Sequence, residues 1–167
     1  MDILLGCGHC RERRISCERN VFIDLCTVDC NPDVKPDVVW DMNNVPLPFS
    51  DNCAEKIHAY NVLEHCGTQG DYLFFFNQFS DFWRILKPYG KFMATVPAHN
   101  DIWALGDPGH TRVINYGTLS FLDQNMYEGC TCSMRTDYRN IYKGNFKTVY
   151  MNTDETGTFF FVLEAVK

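Results

Sequence analysis

The chain has 167 residues, 46% hydrophobic and 22% charged, with a formal net charge of −6 at neutral pH. That length suits a single domain spanning residues 1–167 with a core of its own. The acidic balance argues against a protein that grips nucleic acid chiefly through phosphates. No apolar run approaches the roughly 20 residues needed to cross a bilayer, and the N-terminus does not read as a signal peptide; the expected compartment is the cytoplasm.

In chain order, an apolar run at Ile3–Leu5 predicts a first strand, ended by the turn Gly6-Cys7-Gly8. A charged, helix-competent segment, Arg11 to Ser16, follows it. Strand, glycine turn and helix start together hold nucleotide-like ligands, since glycines permit close backbone approach and a helix N-terminus offers free N–H groups. A second predicted strand, Val21–Val28, leads into Asp29, 21 residues past Gly8. An acidic side chain about 20 residues after such a turn is placed to accept ribose hydroxyls.

Further strands are expected at Val38–Trp40, Lys56–Tyr60 and Lys91–Val96. Between the last two, Asp71–Leu86 predicts a helix, with Leu73, Phe76, Phe79, Trp83 and Leu86 at spacings of three and four. Lys87-Pro88-Tyr89-Gly90 is expected to stop it. A weaker helical pattern covers Tyr116–Leu122. Two β-rich runs, Phe146–Met151 and Thr158–Val166, flank the turn-forming Asn152–Gly157 and predict a C-terminal hairpin. The pattern is α/β: a mostly parallel sheet with helices or crossovers between strands and an antiparallel hairpin appended. In open sheets of this kind ligands sit beyond the C-terminal strand ends. Gly6–Gly8, Asp29, Asp41, Asn61 and Pro97 are therefore expected along one rim.

Nine cysteines without a secretion signal read as reduced thiols. Cys7-Gly8-His9-Cys10 also has the C-x-x-C spacing of thiol oxidoreductases, in which a helix N-terminus stabilises the thiolate. The segment Asp37–His65 has no role in that fold. Zinc held by Cys7, Cys10, Cys130 and Cys132 is disfavoured by the tight Cys130-x-Cys132 spacing, and no metal is expected.

The ordered motifs LLGCG (4–8), TVDCNPD (27–33), DVVWDMNNVPLPFSDN (37–52), EKIHAYNVLEH (55–65), FWRILKPYGKFMATVP (82–97) and GDPGHTRVI (106–114) resemble the class I S-adenosylmethionine-dependent methyltransferases. In particular, they resemble the small, type 11-like methyltransferase domains met in bacterial and phage genomes. The resemblance implies a Rossmann-like methyltransferase fold and S-adenosylmethionine as cofactor. It implies that Gly6, Cys7 and Gly8 contact the methionine part, that Asp29 with neighbouring Cys30 binds the ribose, that Asp41-Met42 flanks the adenine, and that Tyr60-Asn61 borders the sulfonium. Cys10 stands where the family commonly has a third glycine, and Tyr89 replaces a glycine of the usual Lys-Pro-Gly-Gly. The chain starts at the first strand without the helix that often covers the cofactor, so an open edge or self-association is expected.

The expected acceptor segment is Ala98–Arg112, a long polar loop after the fifth strand. It offers His99, Asp107 and His110 as candidate catalytic residues. His110 is a candidate general base; alternatively Asp107-Pro108-Gly109 is a simple tight turn beside a packed histidine. Glu64-His65 reads as the start of a loop or helix outside catalysis. Amino-DNA methyltransferases carry Pro-Pro-aromatic where this chain has Asn61-Val62-Leu63-Glu64, and no Pro-Cys nucleophile for cytosine is present. A small molecule or protein side chain is the expected acceptor. The competing expectation is a methyltransferase-fold binding or assembly module without catalysis.

Overall fold

The computed structural model describes residues 1–12, 15, 22, 24–128 and 136–167. Its seven strands are β1 (Asp2–Leu5), β2 (Leu25–Asp29), β3 (Val38–Val39), β4 (Ala54–Tyr60), β5 (Leu86–Pro97), β6 (Phe146–Thr153) and β7 (Thr158–Ala165). They form one sheet in the order β3-β2-β1-β4-β5-β7-β6. The first five run parallel, and β7 is antiparallel to both β5 and β6. The expected parallel sheet with an antiparallel hairpin is what the chain forms.

Side-chain alternation sorts each strand between two faces. Ile3, Leu5, Ile57, Ala59, Phe92, Ala94 and Val96 enter the main core. Leu4, Tyr60, Met93 and Val162 turn to a smaller cluster on the other face.

The main core is roofed by helix α1 (Tyr72–Ile85). Asp71 caps it, accepting from Phe74 N–H at 2.9 Å, which satisfies one otherwise orphaned donor. Its buried face is aromatic: Phe75, Phe76, Phe79 and Phe82. Phe82 stacks on Phe92 of β5 with ring centroids 4.7 Å apart. Two polar residues share that face and tie down the connector before β4. Asp81 accepts from Leu47 N–H (2.7 Å) and from Arg84 Nε (2.8 Å), and Arg84 also donates to the Phe49 carbonyl and Asp51.

The structure departs from the sequence pattern in several places. Leu73 belongs to the predicted apolar stripe yet is exposed, because the helix turns Phe75 and Phe82 to the sheet instead. Lys87–Gly90 does not separate helix from strand: β5 begins at Leu86, directly after α1, with Tyr89 absorbing the bend at a φ of 64°. The connection from β2 to β3 holds only a 3₁₀ turn at Pro32–Val34. The predicted Tyr116–Leu122 helix splits into α3 (Tyr116–Leu119) and a 3₁₀ turn, Ser120–Leu122; the other short helix, α2, spans Trp103–Gly106. Most of the helix expected over Arg11–Ser16, the start of the second predicted strand, and Cys130 and Cys132 lie outside the described residues. Among the described residues, no helix is long and apolar enough to cross a membrane.

The edge of the sheet is fastened by Asp37, whose Oδ2 accepts from Thr27 N–H (2.8 Å) and Thr27 Oγ1 (2.7 Å). These bonds favour the ionised form and hold its pKa below the ordinary 3.8. A carboxyl lowered in this way stabilises the fold above its ordinary pKa, and that contribution disappears as pH falls through the folded value. Asp37→Asn should therefore unfold at lower urea than the parent at pH 7, with the gap closing as pH drops below about 4. A gap independent of pH would disprove the assignment.

Candidate functional site

The turn after β1 is dictated by crowding on one side and openness on the other. Gly6 and Gly8 have φ of 60° and 49°, the left-handed region that disfavours side chains. A Cβ on Gly6 would stand 2.6 Å from Val62 Cγ2, so β1 can meet the loop after β4 only through glycine. Among the described residues a Cβ on Gly8 would meet nothing within 4 Å, so none of them blocks the outer side of the turn.

Asp29 closes this turn from the end of β2. Gly8 N–H donates to its Oδ2 and Asn31 N–H to its Oδ1, both at 2.9 Å. Two backbone donors fix the half-buried carboxylate at the rim, and each oxygen keeps a lone pair for a further donor. Beyond β4, Asn61 takes a φ of 55°. Its N–H donates to the Thr95 carbonyl (2.8 Å) and its Oδ1 accepts from Thr95 Oγ1 (2.5 Å).

The other predicted cofactor residues are placed less uniformly. Cys30 is exposed beside Asp29. Asp41 is exposed, its Oδ1 accepting from Asn43 N–H and Nδ2 in a local turn. Met42 is 5% exposed and packs in the main core. Tyr60 is buried on the opposite face, its hydroxyl 2.7 Å from His58 Nδ1. Cys7 is buried, and burial followed by the Asp29 charge pushes its thiol above the ordinary value. A redox C-x-x-C needs the opposite shift, so this thiol lends no support to the oxidoreductase alternative.

A second feature opens on the same edge, past β4 and β5. A cleft of about 320 Å³ is lined by Asn61, Glu64, His65, Pro97, Asp101, Trp103, Asp107, His110 and the hairpin turn Thr156–Thr158. Hydrogen bonds staple the loop after β5 onto the 3₁₀ turn Leu63–His65. Thr111 N–H donates to the Glu64 carbonyl (2.9 Å), and Arg112 Nε donates to the Leu63 carbonyl (2.8 Å). Arg112 is itself buried, its other nitrogen donating to Gln78 Oε1 of α1 (2.5 Å). It anchors the loop and stands away from the cleft, and burial lowers its pKa to about 10. The hairpin turn comes equally close: a Cβ on Gly157 would lie 2.0 Å from Asp101 Oδ2.

Of the predicted catalytic residues, Asp107 and His110 line this cleft, with His110 Nε2 3.9 Å from Asp107 Oδ2. His99 is exposed in the turn after β5 and is not among the lining residues. Asp101, also in the expected acceptor segment, lines the cleft as well, whereas Glu64, His65 and Thr156 were not anticipated there. Glu64 is the most unusual: it is 2% exposed, and among the described residues neither carboxylate oxygen has a hydrogen-bond partner. Burial raises its pKa, and leaving such a group unpaired costs on the order of 1–3 kcal/mol.

No family model and no curated protein matches the sequence. Solved structures do match. A chain of the complex between the Haloferax volcanii Trm112 methyltransferase activator and a methyltransferase aligns over 99% of this chain and 82% of its own, at 13% identity and a TM-score of 0.60. A SAM-dependent methyltransferase from Archaeoglobus fulgidus aligns over 98% and 85%, at 16% identity and 0.60. The N-methyltransferase NodS from Bradyrhizobium japonicum, in complex with S-adenosyl-L-homocysteine, aligns over 99% and 78%, at 9% identity and 0.58. The chain has the class I, Rossmann-like methyltransferase fold. In that fold the glycine turn and Asp29 occupy adjacent strand ends, and the cleft lies beside them.

Because Gly6 combines a left-handed φ with a close neighbour, Gly6→Ala should cost about 1–2 kcal/mol of stability. On a Val62→Gly background, which removes both the Cγ2 and the Cβ that lies 2.9 Å away, part of that loss should be recovered in urea unfolding. No recovery would show that the Gly6–Val62 approach is not what excludes a side chain.

Proposed function

We propose that this protein is an S-adenosylmethionine-dependent methyltransferase whose acceptor enters the cleft between Glu64-His65 and the 97–110 loop. The observation that carries this is the Gly8–Asp29 contact at the C-terminal edge of the sheet: an open glycine turn hydrogen-bonded at 2.9 Å to an acidic side chain on the next strand. That pair fits a ligand with one end needing close backbone approach and another presenting a diol. Gly6, Cys7 and Gly8 would hold the methionine part of the cofactor, Asp29 and Cys30 the ribose, Asp41 and Met42 the adenine side, and Tyr60 and Asn61 the sulfonium end.

When bound, the cofactor supplies an electrophilic methyl group. The chain's own task is to position an acceptor, to exclude water and to accept a proton. His110 suits proton transfer. Its Nδ1 faces the Trp103 carbonyl at 2.6 Å, and a carbonyl only accepts, so Nδ1 carries the hydrogen in the neutral ring and Nε2 keeps its lone pair. Asp107 Oδ2 lies 3.9 Å from that Nε2. A small molecule or a protein side chain is favoured over a DNA base, given the acidic chain and the absence of a Pro-Pro-aromatic motif after β4.

Calorimetric titration with S-adenosylhomocysteine tests the reading directly. The parent should bind at micromolar or tighter affinity, and Asp29→Ala should weaken binding at least tenfold, about 1.4 kcal/mol. Equal affinity in parent and variant would remove the ribose assignment. Absence of binding by the parent would overturn the enzyme reading and favour a binding module on the same fold.

A further inference from the structure

The cleft holds a group of side chains that methyl transfer by positioning does not require. One ligand atom each from Glu64, His65 and His110 lies within 4.8 Å of the other two. The two rings meet edge to face with centroids 4.6 Å apart. They come from segments 45 residues apart in sequence, brought together by the hydrogen bonds from Thr111 and Arg112 to the Leu63–Glu64 backbone.

Both rings are oriented in the same way. His65 Nδ1 lies 3.0 Å from the Gly109 carbonyl, and His110 Nδ1 lies 2.6 Å from the Trp103 carbonyl. Since carbonyls only accept, each neutral ring carries its hydrogen on Nδ1 and presents a bare Nε2 lone pair. Backbone carbonyls holding the far nitrogen are the usual support of metal-binding histidines. The third member adds the independent observation. Glu64 is almost wholly buried, and among the described residues both carboxylate oxygens lack hydrogen-bond partners. Its own backbone N–H and the nearby Arg112 charge offset only part of its burial, and imidazole lone pairs cannot supply the partner it still lacks.

We infer that Glu64, His65 and His110 form a binding site for a first-row divalent transition-metal ion at the base of the cleft. Two imidazole nitrogens and one carboxylate suit zinc, cobalt, iron or manganese better than the all-oxygen sets preferred by magnesium and calcium. Coordination at ~2.0–2.2 Å would set ligand atoms ~3–3.5 Å apart, so the observed separations close by side-chain rotation of about an ångström. Asp107 Oδ2, 3.9 Å from His110 Nε2, lies close enough to supply a further oxygen. Three ligands from one side leave positions open toward the cleft. Binding requires the carboxylate ionised and both Nε2 atoms unprotonated, so uptake releases the protons those groups held.

The ion site stands without the methyltransferase reading, but one consequence rests on it. A loaded site turns His110 from proton acceptor into ligand, and the ion takes over by lowering the pKa of a coordinated hydroxyl. That points to an oxygen acceptor with a metal-binding neighbour rather than a simple amine.

The test is titration of metal-stripped, reduced full-length protein with Co(II), followed by absorption. We expect one Co(II) with the visible bands of nitrogen and oxygen ligation and without thiolate-to-cobalt charge transfer. Zn(II) should displace it. His65→Gln, on an exposed side chain that leaves the fold alone, and Glu64→Gln should each weaken binding at least tenfold, while exposed His9→Gln should not. Cobalt bound with thiolate charge transfer and equal affinity in all variants would place it on cysteines and overturn the proposal, as would no binding. S-adenosylhomocysteine affinity, measured in parallel, separates the two readings: its loss with cobalt binding retained sinks the methyltransferase and leaves the ion site.

Discussion

β1 pairs in parallel with β2 on one side and β4 on the other, so the segments leaving all three strands emerge along one edge of the sheet. A parallel pair has no choice in this, because its strands point the same way and each must be left at the same end. The residues of the candidate site lie along that edge. Gly6–Gly8 leaves β1, Asp29 ends β2, Asn61 and Glu64 follow β4, and Pro97 ends β5. The antiparallel hairpin contributes for the opposite reason: β7 starts where β5 stops, so its turn at Thr156–Thr158 reaches the same edge.

Two carboxylates on this edge show contrasting electrostatic solutions. Asp29 is half-buried and receives backbone donors on both oxygens; it is held in one orientation and remains able to accept more. Glu64 is buried deeper and receives none. Their difference follows from their supports. Asp29 borders a glycine turn whose N–H groups have no strand partner, whereas the backbone around Glu64 is already committed: its carbonyl receives Thr111 and Arg112, and the Leu63 carbonyl receives the Arg112 side chain. The same bonds that assemble the cleft leave the carboxylate at its floor without a partner.

How much of this was legible in the sequence depends on the range of the determining interaction. Strand alternation and the glycine turn are local, and Ile3–Leu5, Lys56–Tyr60 and the hairpin were readable from period and punctuation. The face of α1 was partly misread: Leu73 fits the spacing as well as Phe75 does, and only the position of the sheet decides which is buried. Lys87-Pro88-Tyr89-Gly90 has the composition of a stop, yet the strand absorbs it by placing Tyr89 in a left-handed conformation. The cleft was legible only on one side. Asp107 and His110 sit in a visibly polar loop, but Glu64-His65 gives no local sign of facing them, because the contact is made by hydrogen bonds across 47 residues.

Arg112 links the stability of the fold to the shape of the cleft. Its guanidinium lies in the interior between the Leu63 carbonyl and Gln78 of α1, where burial disfavours the charge and the hydrogen bonds, with the nearby Glu64 carboxylate, compensate. Gln78 in turn donates to the Met42 carbonyl, in the segment that leads away from β3. One buried chain of polar contacts thus runs from the loop after β3, through α1, to the turn after β4 and the loop carrying His110. An apolar residue at 112 would pack at lower electrostatic cost but would release the loop. The retained charge is best understood as the fastening that sets His110 opposite His65, and a cleft assembled this way is only as rigid as the helix beneath it.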